Sequence, residues 1–120
     1  MAEQAQEETE LAPEKAAALL RSGAAEAIDV RRPYEWEAGR IEGARHIEVN
    51  ELTGEAESIP RDRPILFYCR SGSRSALAAA AFRQAGWDAY NLEGGLRAWA
   101  ERGLPLEPPD GAVAEPRPGS

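Results

Sequence analysis

Ile65-Leu66-Phe67-Tyr68-Cys69-Arg70-Ser71-Gly72-Ser73-Arg74-Ser75 decides the reading of this chain, and Ala76-Leu77-Ala78-Ala79-Ala80-Ala81-Phe82 follows it directly. A short apolar run, a thiol, a polar loop with one glycine and then a helix-forming stretch predict a buried strand passing through a loop into a helix. That order puts Cys69 at the carboxyl end of a strand, where α/β proteins bind ligands. Loop N–H groups and the positive end of the helix surround the sulfur, conditions that favour a thiolate. Most single cysteines are buried structural thiols. Two arginines, three serines and a glycine beside this one do not make an apolar pocket, so the residues favour reactivity.

On either side of the loop the chain alternates. Pro13 suits the first turn of a helix that runs through Leu20 and stops at Gly23; 25–30 reads as a short buried strand. A helix follows from Pro33, with Gly39 as its stop. Residues 44–49 read as a strand and 50–57 as a short helix. After the strand 65–69, residues 75–85 read as a helix stopped by Gly86, 87–92 as a strand and 96–102 as a last helix. Alternating strands and helices predict an α/β fold, a small parallel sheet with helices on both faces. Three segments are expected: a disordered acidic stretch 1–10, a domain 11–106, and a flexible Pro/Gly-rich tail 107–120.

A chain of 120 residues is long enough for one domain with a core. Its net charge of −7 lies mostly in the ends: residues 1–10 carry −4 and 107–120 carry −2, leaving −1 between them. A basic nucleic-acid footprint is therefore absent. The longest apolar run, 76–82, has seven residues, against about 20 for a membrane span. No apolar signal segment is read in the first ten residues. A lone cysteine fits a reducing compartment, and the expected location is cytoplasmic. One histidine, His46, and one cysteine cannot make a structural zinc site alone, so no metal is expected.

Three ordered motifs give the chain a resemblance. The loop reads Cys69-x4-Arg74-Ser75. Upstream lie Asp29-Val30-Arg31, Glu35, Gly39, Ile41, Gly43-Ala44 and Ile47. Downstream, Leu92-Glu93-Gly94-Gly95 precedes Trp99 and Gly103-Leu104-Pro105. Together they resemble the rhodanese family of sulfurtransferases over residues 11–106. Two positions depart from it: Arg40 stands where a histidine is common, and Glu42 where a proline often precedes Gly-Ala.

The resemblance implies a rhodanese-like fold and a thiosulfate sulfurtransferase. Cys69 would carry sulfane sulfur as a persulfide from thiosulfate, or a related anionic donor, to cyanide, a thiol or a carrier protein, with no cofactor. The alternative is a persulfide-relay or regulatory module serving one protein partner. Arg70, Ser71, Gly72, Ser73, Arg74 and Ser75 are the expected substrate-binding residues, with Gly72 supplying a positive φ to an anion cradle. Arg70 at the first loop position implies, by the same resemblance, a preference for thiosulfate. Arg74 either binds substrate oxygens or braces the loop against a carboxylate. Asp29 invites a general-base reading, but its place in the first motif favours an ion pair with an arginine. Arg31 can pair with a carboxylate such as Glu35 or help bind substrate, and the structural reading is favoured. A phosphatase on the same fold resembles a Cys-x5-Arg loop, one residue longer than this one.

Overall fold

The computed structural model describes residues 8–117. Five parallel strands form one sheet: β1 (Glu10–Leu11), β2 (Glu26–Asp29), β3 (Arg45–His46), β4 (Ile65–Tyr68) and β5 (Ala89–Leu92), in the spatial order β1-β5-β4-β2-β3. Between them run α1 (Pro13–Arg21), α2 (Pro33–Ala38), α3 (Leu52–Glu55), α4 (Ser73–Gln84) and, last, α5 (Gly95–Glu101). Prolines occupy the first turns of α1 and α2, where the missing N–H costs nothing.

Side chains alternate across a strand, and β4 shows the result. Ile65, Phe67 and Cys69 join a core with Ile28, Val30, Ala78, Ala79, Phe82 and Trp87, beneath α4. Leu66 and Tyr68 join a second core on the other face with Ala16, Ala17, Leu92, Leu96 and Trp99, beneath α1 and α5. Both faces of β4 are buried, as a central parallel strand requires, and no polar residue interrupts Ile65–Tyr68. Helices therefore cover both faces, the expected α/β arrangement. No helix among the described residues is long and apolar enough to cross a membrane.

The two ends of the chain differ from expectation. Glu10 was expected in a disordered segment 1–10, but it pairs with Asn91 in β1; residues 1–7 of that segment lie outside the described residues. The stretch from Glu107, expected as a flexible tail, lies against the domain as far as it is described, to Arg117. Arg40 and Glu107 exchange backbone hydrogen bonds of 3.0 and 2.7 Å, and the Ala112 N–H donates to the Ala38 carbonyl at 2.8 Å. Gly39 makes this approach feasible, because a Cβ there would stand 2.5 Å from the Ala112 oxygen. Proline and glycine exclude a core but not backbone bonds to an edge, and composition registered only the first. Arg40 also lies over the Trp36 ring, 4.8 Å from its centroid. Residues 118–120 of the expected tail lie outside the described residues.

Candidate active site

Five polar side chains are buried among the described residues, Asp29, Arg31, Glu35, Ser75 and Asn91. They cluster around the carboxyl ends of β2, β4 and β5. Burying them without partners would cost several kcal/mol each, so their hydrogen bonds define the site.

Cys69 lies at the end of β4 with no exposed surface. Its Sγ accepts the Gly72 N–H at 3.2 Å and stands 3.3 Å from Ser75 Oγ. Gly72 has φ +100°, the left-handed conformation that the loop reading requires, and it caps α4. The helix opens at Ser73, two residues before the expected start. Burial alone would push the thiol up. The Ser75 hydroxyl, the Ser75 and Gly72 N–H groups and the charge of Arg74 outweigh it and hold Cys69 below the ordinary thiol value.

The loop carbonyls face the other way. Leu96 and Arg97, in the first turn of α5, donate their N–H groups to the Cys69 and Arg70 carbonyls at 2.8 and 3.0 Å. A Cβ on Gly95 would stand 2.4 Å from the Arg70 oxygen, so only glycine permits this contact. With its carbonyls bound on the outside, the loop presents N–H groups to the sulfur. The Gly94-Gly95 pair thus opens α5 and fastens the loop.

Ser75 Oγ is also 2.6 Å from Asn91 Oδ1. Asn91 Nδ2 donates to both carboxylate oxygens of Glu10, at 3.0 and 3.1 Å, and to the Gly72 carbonyl at 3.1 Å. The Ser75 hydroxyl has one proton, so its contacts with the sulfur and with Asn91 are alternatives. It can serve the amide while the sulfur is protonated and the sulfur once it is a thiolate. Ser75→Ala is therefore expected to raise the Cys69 pKa. Thiolate absorbance followed against pH should rise at higher pH in the variant, and an unmoved curve would remove Ser75 from this role.

The remaining predicted residues separate into two groups. Arg74 and Glu35 face each other, each carboxylate oxygen 3.4 Å from a guanidinium nitrogen, with Glu35 buried and Arg74 part exposed. This is the bracing contact proposed from sequence, although Glu35 partners Arg74 rather than Arg31. Arg31 instead pairs with Asp29 through bonds of 2.9 and 2.7 Å, both side chains fully buried. Arg31 also donates to the Gly39 carbonyl at 2.7 Å, and among the described residues its Nη1 has no hydrogen-bond partner. A two-residue spacing beyond a strand end lets Arg31 fold back onto Asp29, which leaves Glu35 to Arg74. Ser71 and Ser73 are exposed. Arg70 turns outward, its Nε donating to the Ala114 carbonyl at 3.1 Å and its Nη2 standing 3.2 Å from Glu115. His46 Nε2 lies 2.7 Å from the Arg31 carbonyl, and its ring stacks on Trp36 at 4.8 Å. No group of three or more His, Cys, Asp or Glu suited to a metal ion occurs among the described residues.

Glu10 and Asn91 were not anticipated as site residues. Asn91 stands immediately before the Leu92-Glu93-Gly94-Gly95 motif, and a polar residue in an otherwise buried strand was its available signal.

The comparisons with known proteins agree with this geometry. The family model for the rhodanese-like domain matches residues 12–102. Over 85 residues the chain is 40% identical to a sulfurtransferase of Allochromatium vinosum, an overlap covering 70% of this chain and 79% of that one. Over 90 residues it is 37% identical to the thiosulfate sulfurtransferase GlpE of Pseudomonas paraeruginosa, covering 74% of this chain and 81% of the relative. The crystal structure of a rhodanese-related protein from Thermoplasma volcanium matches with a TM-score of 0.76 at 29% identity, over 81% of this chain and 95% of the other. With its Cys69 loop, strands β2 to β5 and the motifs from Asp29 to Trp99 all in the matched region, this chain belongs to the rhodanese-like domain family.

Proposed function

We propose that this protein is a sulfurtransferase that carries sulfane sulfur on Cys69, with thiosulfate or a related anion as donor. The observation that carries the reading is the sulfur itself: a buried thiol with a lowered pKa, ringed by N–H and O–H donors. The similarity to relatives named as sulfurtransferases supports the same class.

In the first step the Cys69 thiolate attacks the outer sulfur of thiosulfate. The S–S bond of the donor breaks and its electron pair leaves with sulfite, so Cys69–S⁻ and S₂O₃²⁻ become Cys69–S–S⁻ and SO₃²⁻. The terminal sulfur keeps the negative charge, and the loop N–H groups, Ser75 and Arg74 are placed to stabilise it. In the second step a thiophile takes that sulfur; cyanide leaves as thiocyanate and the thiolate is restored. Neither step needs a metal, an organic cofactor or a general base. A thiol or a carrier protein fills the acceptor role in the cell, and the single thiol fits the reducing cytoplasm. The short loop, tied to α5 by two hydrogen bonds, suits a sulfur-sized anion better than a tetrahedral phosphate.

Mass spectrometry after thiosulfate treatment tests the reading. The expected result is a gain of one sulfur on Cys69, removed by cyanide or a reducing thiol. An unmodified Cys69 at saturating thiosulfate would overturn thiosulfate as donor. A persulfide that no small acceptor discharges would favour relay to a dedicated protein.

A further inference from the structure

Beside the loop, Arg32, Tyr34, Glu35, Arg74, Pro116 and Arg117 line an open pocket of about 300 Å³. It holds three guanidinium groups and one carboxylate. That carboxylate is committed: Glu35 is buried, meets Arg74 with both oxygens and also accepts the Arg32 N–H at 3.1 Å. Among the described residues neither Arg32 nor Arg117 has a carboxylate within ion-pair distance, so the pocket keeps two uncompensated positive charges. Arg117 is held in place, its guanidinium 3.9 Å from the centroid of the Tyr34 ring and its N–H donating to Tyr34 Oη at 3.0 Å. The same segment ties down the first loop charge, since Ala114 and Glu115 bind Arg70. Residues 112–117 thus withdraw one arginine from the mouth of the site and supply another a short way off.

We propose that this pocket is a binding subsite for a thiol bearing two carboxylates, with Arg32 and Arg117 as the residues that select it. Planar guanidinium groups match carboxylates with paired hydrogen bonds. A volume near 300 Å³ is at the lower end for small-molecule sites and larger than thiosulfate or cyanide requires. Arg74 joins the pocket to the sulfur, because it lines the one and lowers the pKa of the other. With its carboxylates on Arg32 and Arg117, such a thiol would lie on the Arg74 side of the loop. That a thiol is the ligand rests on the sulfur-transfer reading above.

The test uses (methylthio)succinate, a thioether dicarboxylate that cannot accept sulfur, and its dimethyl ester, titrated into the full chain by calorimetry. The diacid is expected to bind at least about tenfold more tightly than the ester, and Arg32→Ala and Arg117→Ala each to weaken the diacid about tenfold. In sulfur transfer, kcat/KM for mercaptosuccinate relative to 2-mercaptoethanol should fall in both variants by a similar factor. No binding of the diacid, equal binding of diacid and ester, or variants that bind the diacid like wild type would overturn the subsite. The thioether undergoes no chemistry, so these outcomes leave the persulfide reading untouched. Conversely, a Cys69 that takes up no sulfur would leave the binding result standing.

Discussion

Replacing Cys69 by serine is expected to bring thiosulfate:cyanide sulfur transfer to background, a loss on the order of 10⁴-fold or more. Cys69 is the only thiol in the chain, and a serine hydroxyl is not ionised under conditions where this thiol is. The fold should survive. Serine is no larger than cysteine, and its oxygen can accept the Gly72 N–H that now meets the sulfur. Circular dichroism and the thermal transition should change by no more than a modest destabilisation of about 1–2 kcal/mol. Substantial residual transfer by a folded variant would remove Cys69 as the sulfur carrier. Loss of activity together with loss of structure would call for Cys69→Ala before any conclusion about the chemistry.

The second large effect falls on stability. Asp29→Ala removes the partner of a fully buried arginine whose Nη1 already lacks one. Burial works against the Arg31 cation, and Asp29 outweighs burial, holding its pKa above the ordinary value. Without Asp29 the charge remains in the core uncompensated, at a cost of about 3–5 kcal/mol. That is a large part of the roughly 5–15 kcal/mol typical of a folded domain. Urea denaturation should show a much lower midpoint with little change in slope. The double replacement Asp29→Leu with Arg31→Met should recover most of the loss, because it removes both charges together. A single variant that loses less than about 1 kcal/mol would contradict the structural role. A drop in kcat at unchanged stability would instead revive the general-base reading of Asp29.

The parts of this fold that are local in sequence were legible in it. Alternation along Ile65–Tyr68, prolines at the starts of α1 and α2, and glycines beyond helix ends carry their structural meaning within a few residues. So do Cys69, Gly72, Arg74 and Ser75, which sit within one loop and one helical turn. The non-local parts left weaker marks. A two-residue strand has no periodicity to detect, and Glu10 belongs to a run of acidic residues that reads as solvated. Its pairing with Asn91 joins positions 81 residues apart. The segment after Glu107 has the composition of a flexible tail, and what holds it is a missing Cβ at Gly39, backbone bonds to Ala38 and Arg40, and side-chain contacts with Arg70 and Tyr34. The Asp29–Arg31 pair is set by its own two-residue spacing, whereas the choice of Glu35 for Arg74 joins positions 39 residues apart, and composition does not show that.

The fastening of the loop to α5 and Asn91 has a consequence for the order of synthesis. During translation Cys69 leaves the ribosome before Asn91, Leu96 and Arg97, which hold its loop carbonyls and its hydrogen-bonding serine. Until those residues arrive, the cradle has no outer support and β4 has no β5 beside it. A chain cut short before Asn91 therefore carries the loop's residues without the groups that bind its carbonyls.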